Sequence, residues 1–220
     1  RPHAKSHKCP QIALRQIALG AVGVCCQKVS EAEAMVEGGV PDVLVANEVV
    51  GTTKLRRLAA LAKQAKVTVC ADDAGNVKDI DAAAREFGVT IDVLVEVNVG
   101  ANRCGVEPGE PALKVALAIA ACKNLRYAGL QAYQGGAQHM RKVEERRAAI
   151  AAAVDGVQRT LVLIEKTGLP RGKVTGAGTG TYLFEAASSV YDELQVGSYI
   201  FMDADYAKND WTESGIPRFE

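Results

Sequence analysis

The stretch that decides the fold is Lys173–Tyr182, "KVTGAGTGTY". A short apolar strand ending at Val174 runs into a glycine-rich turn, and a short helix from Tyr182 to Ser189 is expected beyond it. Glycines let backbone N–H groups close on an anion, and a helix N-terminus adds its dipole. After a first strand, such a turn would mark a doubly wound dinucleotide fold. Here it comes late in the chain, where α/β barrels often bind phosphate. Taken alone, the pattern also fits a glycine turn that holds nothing.

Working outward, apolar β-rich runs alternate with helical patterns. The runs are "AVGVCC" (21–26), "DVLVAN" (42–47), "VTVCAD" (67–72), "DVLVEVNV" (92–99), "YAGLQAY" (127–133), "KVTGAG" (173–178) and "ELQVGSY" (193–199). Helical periodicity fills 9–20, 30–39, 52–65, 76–88, 111–122 and 140–168. Near-continuous Val/Leu strands between helices indicate a parallel sheet covered on both faces. With the opening segment as a further strand the count is eight, so the expected fold is a (β/α)8 TIM-type barrel over residues 1–205. Residues 206–220 read as the start of a further segment, and an open doubly wound sheet is the alternative. Ser30 with Glu33 reads as a capping box, and Gly20, Gly38, Gly88 and Gly168 sit where helices are expected to end.

The bulk numbers exclude several classes. The 220 residues carry 26 Lys+Arg against 26 Asp+Glu, with a pI near 7.0. No basic excess points to nucleic acid or an anionic membrane. No apolar stretch approaches the roughly 18 residues of a membrane span. The six cysteines form no CxxC pair, so neither a zinc knuckle nor a disulfide framework is indicated. Cys25, Cys26, Cys70 and Cys122 sit among apolar residues, as buried free thiols of a cytoplasmic protein would.

The opening "RPHAKSHKCP" holds two of the chain's three histidines. On a strand, alternate residues share a face, which would set His3, Lys5 and His7 together and Lys8 apart. A lysine crowded by imidazoles and partly desolvated acquires the lowered pKa of a reactive amine. A metal site from His3, His7 and Cys9, or a surface basic end, are the other readings. Arg103, Tyr133, His139, Gln195 and Tyr199 fall at or just past expected strand ends, which converge on one mouth in a barrel. One lysine, a phosphate loop, an arginine, aromatic rings and a histidine would together suit a phosphorylated aldehyde cofactor such as pyridoxal phosphate.

"RPHAKSHK", "GVCCQKVSEAE", "NEVVG", "VGANRCGV", "GLQAY", "VTGAGTGTY" and "ELQVGSYIFMDADY" occur in an order and spacing that resemble the D-threonine aldolase and D-serine dehydratase group of pyridoxal-phosphate enzymes, built on the alanine racemase N-terminal barrel. The resemblance runs from Arg1 to about Trp211. It implies Lys5 as the Schiff-base lysine, Arg103 near the cofactor's phenolic oxygen, Tyr133 near its ring and His139 acting on the substrate hydroxyl. It places the phosphate against Thr175, Gly176, Gly178, Thr179 and Gly180, and against Gly197, Ser198 and Tyr199, with Gln195 beside the cofactor and Gln27 and Asn47 behind it.

The implied activity is cleavage of D-threonine and related D-3-hydroxy-amino acids, small-molecule partners, to glycine and an aldehyde. Dehydration of D-serine or 3-hydroxyaspartate, or a barrel that binds the cofactor without catalysis, are the alternatives. The group uses a divalent metal, commonly manganese, held by a C-terminal β-domain that also helps form a homodimer. No HxD or HxC follows residue 140, so no metal ligand is assigned in this chain, which is expected to be a piece of a longer protein without that domain. Gln134 stands where the group has histidine.

Overall fold

A computed structural model describes residues 1–211. Residues 212–220 of the expected C-terminal segment lie outside the described part.

Seven parallel strands, β1 (Val24–Cys26), β2 (Asp42–Glu48), β3 (Lys66–Ala71), β4 (Ile91–Glu96), β5 (Leu125–Ala132), β6 (Lys173–Gly176) and β7 (Glu193–Leu194), pair in sequence order as one sheet. The helices that cover it are α1 (Pro10–Ala18), α2 (Val29–Glu37), α3 (Thr52–Leu61), α4 (Ala74–Phe87), α5 (Glu110–Ala120), α6 (Val143–Lys166) and α7 (Tyr182–Ala187). This is the alternating architecture of a TIM-type barrel.

The eighth stave differs from expectation. Arg1–His3 closes the ring: the His3 N–H donates to the Val196 carbonyl at 2.9 Å, and the Cys25 N–H donates to the Pro2 carbonyl at 2.8 Å. Only His3 forms a bridge, to Cys25, and the chain then turns through a 3-10 segment, Ala4–Ser6. "HAKSHK" contains no β-branched or large aromatic residue to favour a pleated strand, and the His3 side chain caps the turn instead. The alternation that set His3, Lys5 and His7 on one face therefore does not apply.

Two local expectations are corrected. Ser30 lies inside α2, whose N-cap is Lys28 without a side-chain bond. Glu31 fills the capping role, its carboxylate accepting the Gln27 N–H at 2.8 Å. At the end of α2 it is Gly39, at φ +95, that takes the left-handed conformation; Gly38 is needed because a Cβ there would come within 2.2 Å of Pro10.

Strand alternation divides the core. Val43, Val45, Val67, Val69, Val93 and Val95 face the helices in the main apolar layer. Cys25, Leu44, Ala46, Cys70 and Leu94 fill the barrel interior. Each buried Val or Leu contributes about 1.5–3 kcal/mol, so the register of every strand is strongly determined. Cys25, Cys26 and Cys70 are buried free thiols, and Cys122 is half-buried. Among the described residues, no helix is long and apolar enough to cross a membrane.

Candidate active site

A cavity of about 260 Å³ opens at the C-terminal ends of the strands. The opening turn carries Lys5 into it, beside His3. Lys5 is exposed at the mouth, yet desolvation against the cavity wall, and then the Arg103 charge, lower its pKa, which leaves more of its amine uncharged than a fully solvated lysine would have. Burial, followed by the charges of Lys5 and Arg103, drives His3 down to about 3, so its imidazole is neutral. Lys8 turns away at φ +49, and its ammonium reaches Glu31 at 3.9 Å. His7 and Cys9 do not line the cavity; the His7 Nδ1 accepts the Cys9 N–H at 3.1 Å.

One wall is the loop after β6 and the turn after β7. Ala177, Gly178, Thr179, Gly197 and Ser198 line the cavity. The N–H groups of Gly178, Thr179, Gly197 and Ser198 make no hydrogen bond to any described residue. Buried and half-buried N–H groups left unspent in this way form an anion cradle. Its approach is tight: a Cβ on Gly178 would come within 2.4 Å of the Gln138 side chain, and one on Gly197 within 3.1 Å of the His3 Cβ.

Other residues of these loops do not line the cavity; they build its wall. Thr175 lies inside the barrel, where its hydroxyl accepts from the Gln195 amide at 2.7 Å. Gln195 itself does line the cavity, paired with Gln131. Gly176 belongs to β6, packed on the Ala132 carbonyl. The Gly180 N–H is already spent on the Gln138 side-chain oxygen at 2.9 Å. The Tyr199 hydroxyl accepts from the Gln16 amide at 2.6 Å, and its N–H donates to the Thr179 hydroxyl at 3.0 Å. Gln27 lines the cavity, and Asn47 stands behind it, donating to the Gln27 carbonyl at 3.2 Å.

The opposite wall carries Arg103, whose guanidinium lies 5.7 Å from the Tyr133 ring centre. Arg103 makes no ion pair with a carboxylate among the described residues. At the rim, the His139 Nδ1 meets Asp205 at 2.7 Å, and Arg141 grips the other Asp205 oxygen at 2.6 Å. Hydrogen bonding from Arg141 holds Asp205 below the usual carboxylate range, so it stays ionised and fixes the imidazole with Nε2 free. The His139 ring also packs on Tyr206, at 4.8 Å between centres. Sequence reasoning missed Asp203, Tyr206, Gln131 and the orienting role of Asp205. The available signal was the DxD pair in "FMDADY", which gains meaning only when the fold brings it to His139.

One group of metal-ligand types exists among the described residues: Glu48, Glu96 and Cys104, with ligand atoms within 4.8 Å of one another. Burial, and then the neighbouring Glu48 charge, raise Glu96 to about 8, and burial raises the Cys104 thiol to about 11. A soft thiol beside the positive Arg103 guanidinium is a poor setting for a hard cation such as manganese. These residues do not fit that metal.

The model of the alanine racemase N-terminal domain matches residues 3–205. The chain is 49% identical to a D-threonine aldolase of an Arthrobacter species over 211 residues, which is 96% of this chain and 56% of that protein. It is 50% identical to a 3-hydroxy-D-aspartate aldolase of Paracoccus denitrificans over 94% of this chain and 54% of that one. A solved D-threonine aldolase from Filomicrobium marinum superposes with a TM-score of 0.96 at 55% identity, covering 100% of this chain and 58% of that one. The chain spans about half the length of the curated relatives it matches.

Proposed function

Because the chain belongs to the alanine racemase N-terminal domain family, we propose that its cavity holds pyridoxal phosphate and serves an aldolase that cleaves D-3-hydroxy-amino acids to glycine and an aldehyde. The observation that carries this reading is the placement of Lys5 across one cavity from four unspent backbone N–H groups. The names of the similar proteins point the same way.

The residues fit the cofactor. The cradle of Gly178, Thr179, Gly197 and Ser198 suits a phosphate, and Lys5, with its lowered pKa, suits the aldehyde carbon. Arg103 and Tyr133 form a cationic and aromatic wall for the ring, and Gln195 offers it a neutral amide. When bound, pyridoxal phosphate supplies an electron-accepting ring that stabilises negative charge left on the substrate's Cα. The His139 Nε2 is the group placed to take the β-hydroxyl proton as the Cα–Cβ bond opens. Asp205 keeps the imidazole in the tautomer that can do so. In a (β/α)8 barrel this mouth is where chemistry resides. A manganese-type metal in the whole protein would find its ligands outside the residues described here.

Incubating the full-length protein with pyridoxal phosphate and D-threonine tests the reading. Glycine and acetaldehyde are expected. Formation of 2-oxobutyrate and ammonia would mean that the β-hydroxyl leaves instead, and would overturn the aldolase.

A further inference from the structure

His3 has two nitrogens with different surroundings. Its Nδ1 accepts the Lys5 backbone N–H at 3.3 Å, so the imidazole is the N-cap of the turn that carries Lys5. Its Nε2 makes no hydrogen bond to a described residue. Nor is that atom sealed off, as the His7 Nε2 is. His3 lines the cavity although it is only 7% exposed, so the free edge of the ring faces the ligand space. Since Nδ1 accepts, the proton of a neutral ring resides on Nε2.

The backbone places this donor beside the anion cradle. The His3 N–H donates to the Val196 carbonyl at 2.9 Å, and the next residue, Gly197, lies so close that a Cβ there would come within 3.1 Å of the His3 Cβ. His3 thus sits between the lysine and the cradle, where an anion held by both would pass over it. A charged side chain at this point would crowd Lys5 and Arg103 with a third cation. A neutral N–H adds a hydrogen bond without that repulsion.

We propose that His3 is a positioning residue of this site: Nδ1 holds the turn that aims Lys5, and Nε2–H donates to the anionic cofactor seated between Lys5 and Gly197. This rests on the cofactor reading above. The test separates the two nitrogens. In H3N, the asparagine oxygen replaces Nδ1 and keeps the cap but loses the donor into the cavity. In H3Q, the amide NH2 reaches the Nε2 position and restores the donor. Full-length protein freed of cofactor is titrated with pyridoxal phosphate, following the visible band of the lysine-bound form, alongside thermal melting.

The expected result is an H3N protein that melts as the unsubstituted one does but binds pyridoxal phosphate about tenfold more weakly, with H3Q recovering most of that affinity. H3N binding within twofold of the unsubstituted protein would overturn the proposal, as would an H3Q that melts as the unsubstituted protein does yet binds no better than H3N. If H3N does not fold, an H3Q protein that folds and binds normally still supports the donor, and one that folds but binds about tenfold more weakly overturns it. A protein that forms no band with His3 in place refutes the cofactor reading itself, a different outcome from a band that ignores the substitution.

Discussion

The two ends of the barrel solve opposite problems. At the N-terminal end, the charged side chains around the floor are paired. Arg1 binds Glu193 and Asp42, each at 2.7 Å; Lys173 meets Glu193 at 2.7 Å and Lys66 meets Asp42 at 3.3 Å. Arg126 grips Asp92 with two bonds, at 2.6 and 2.8 Å. At the mouth, Lys5 and Arg103 have no carboxylate partner among the described residues, four N–H groups are unspent, and the His3 Nε2 is free. Paired charge at the floor closes a fold. Unpaired polarity at the mouth costs stability, a cost that the proposed ligand would offset. Apart from the Arg141–Asp205–His139 cluster at the rim, satisfaction of polar groups therefore separates the floor from the mouth.

The sharpest break of this comparison is at Lys5. Lys5→Ala should abolish the cofactor band and lower turnover by about a thousandfold or more. Lys8→Ala, whose side chain is 67% exposed, should change neither. Both are read by absorbance and by aldehyde release. A band that survived loss of Lys5 would move the reactive amine elsewhere.

Arg1 tests the floor. Arg1→Met leaves Glu193 only Lys173 and Asp42 only Lys66 as partners and should destabilise the fold by about 2 kcal/mol in chemical denaturation, with cofactor affinity changed little. Burial opposes ionisation of Glu193, yet the hydrogen bonds from Arg1 and Lys173 hold its pKa down to about 2. A carboxylate depressed in the folded state adds stability above its ordinary pKa and loses it as pH falls toward the folded value. Stability should therefore decline between the ordinary carboxylate range and about pH 2, and Glu193→Gln should flatten that decline. An acid limb unchanged by the substitution would show that the floor pairing contributes no net stability.

This contrast explains what the sequence discloses. The alternating runs and the late glycine turn are legible because each β/α unit repeats one local pattern. Arg103, Tyr133 and His139 are legible because they sit at strand ends, and Lys5 through the resemblance carried by "RPHAKSHK" rather than through alternation. The glycine loop is only half legible: composition marks Thr175, Gly176 and Gly180 alongside Gly178 and Thr179, but only three-dimensional hydrogen bonding tells spent groups from unspent ones. The opening reads as a strand because alternation assumes a pleat, which His3 interrupts by capping its own chain. Asp205 is marked only by the DxD pair of "FMDADY", whose role the sequence hides because its partner His139 lies 66 positions away.

Asp205 gives a smaller effect at the mouth. Asp205→Asn keeps the shape but no longer fixes the His139 tautomer by charge. Turnover should fall about tenfold, with its pH dependence displaced and cofactor binding unchanged. Equal loss in His139→Ala and in the double variant would confirm that the aspartate acts through the histidine. Additive losses would give Asp205 a separate role.

The smallest effect belongs to Gln134, where the resembling group has histidine. An acid, base or ligand role at this position would make glutamine a serious loss. The side chain, however, does not line the cavity. Its amide donates to the Val99 carbonyl at 3.0 Å and accepts the Gly136 N–H at 3.0 Å. Gly100 leaves it room, since a Cβ there would come within 2.3 Å of its amide nitrogen. Gln134 thus ties the loop after β4 to the turn that leads to His139. Gln134→Ala should cost about 1–2 kcal/mol of stability through two lost hydrogen bonds. Gln134→His, which restores a titratable ring, should leave the pH profile of turnover where it was. A profile that moved with this substitution would place residue 134 in proton transfer, although its side chain is bonded to the Val99 carbonyl and the Gly136 N–H.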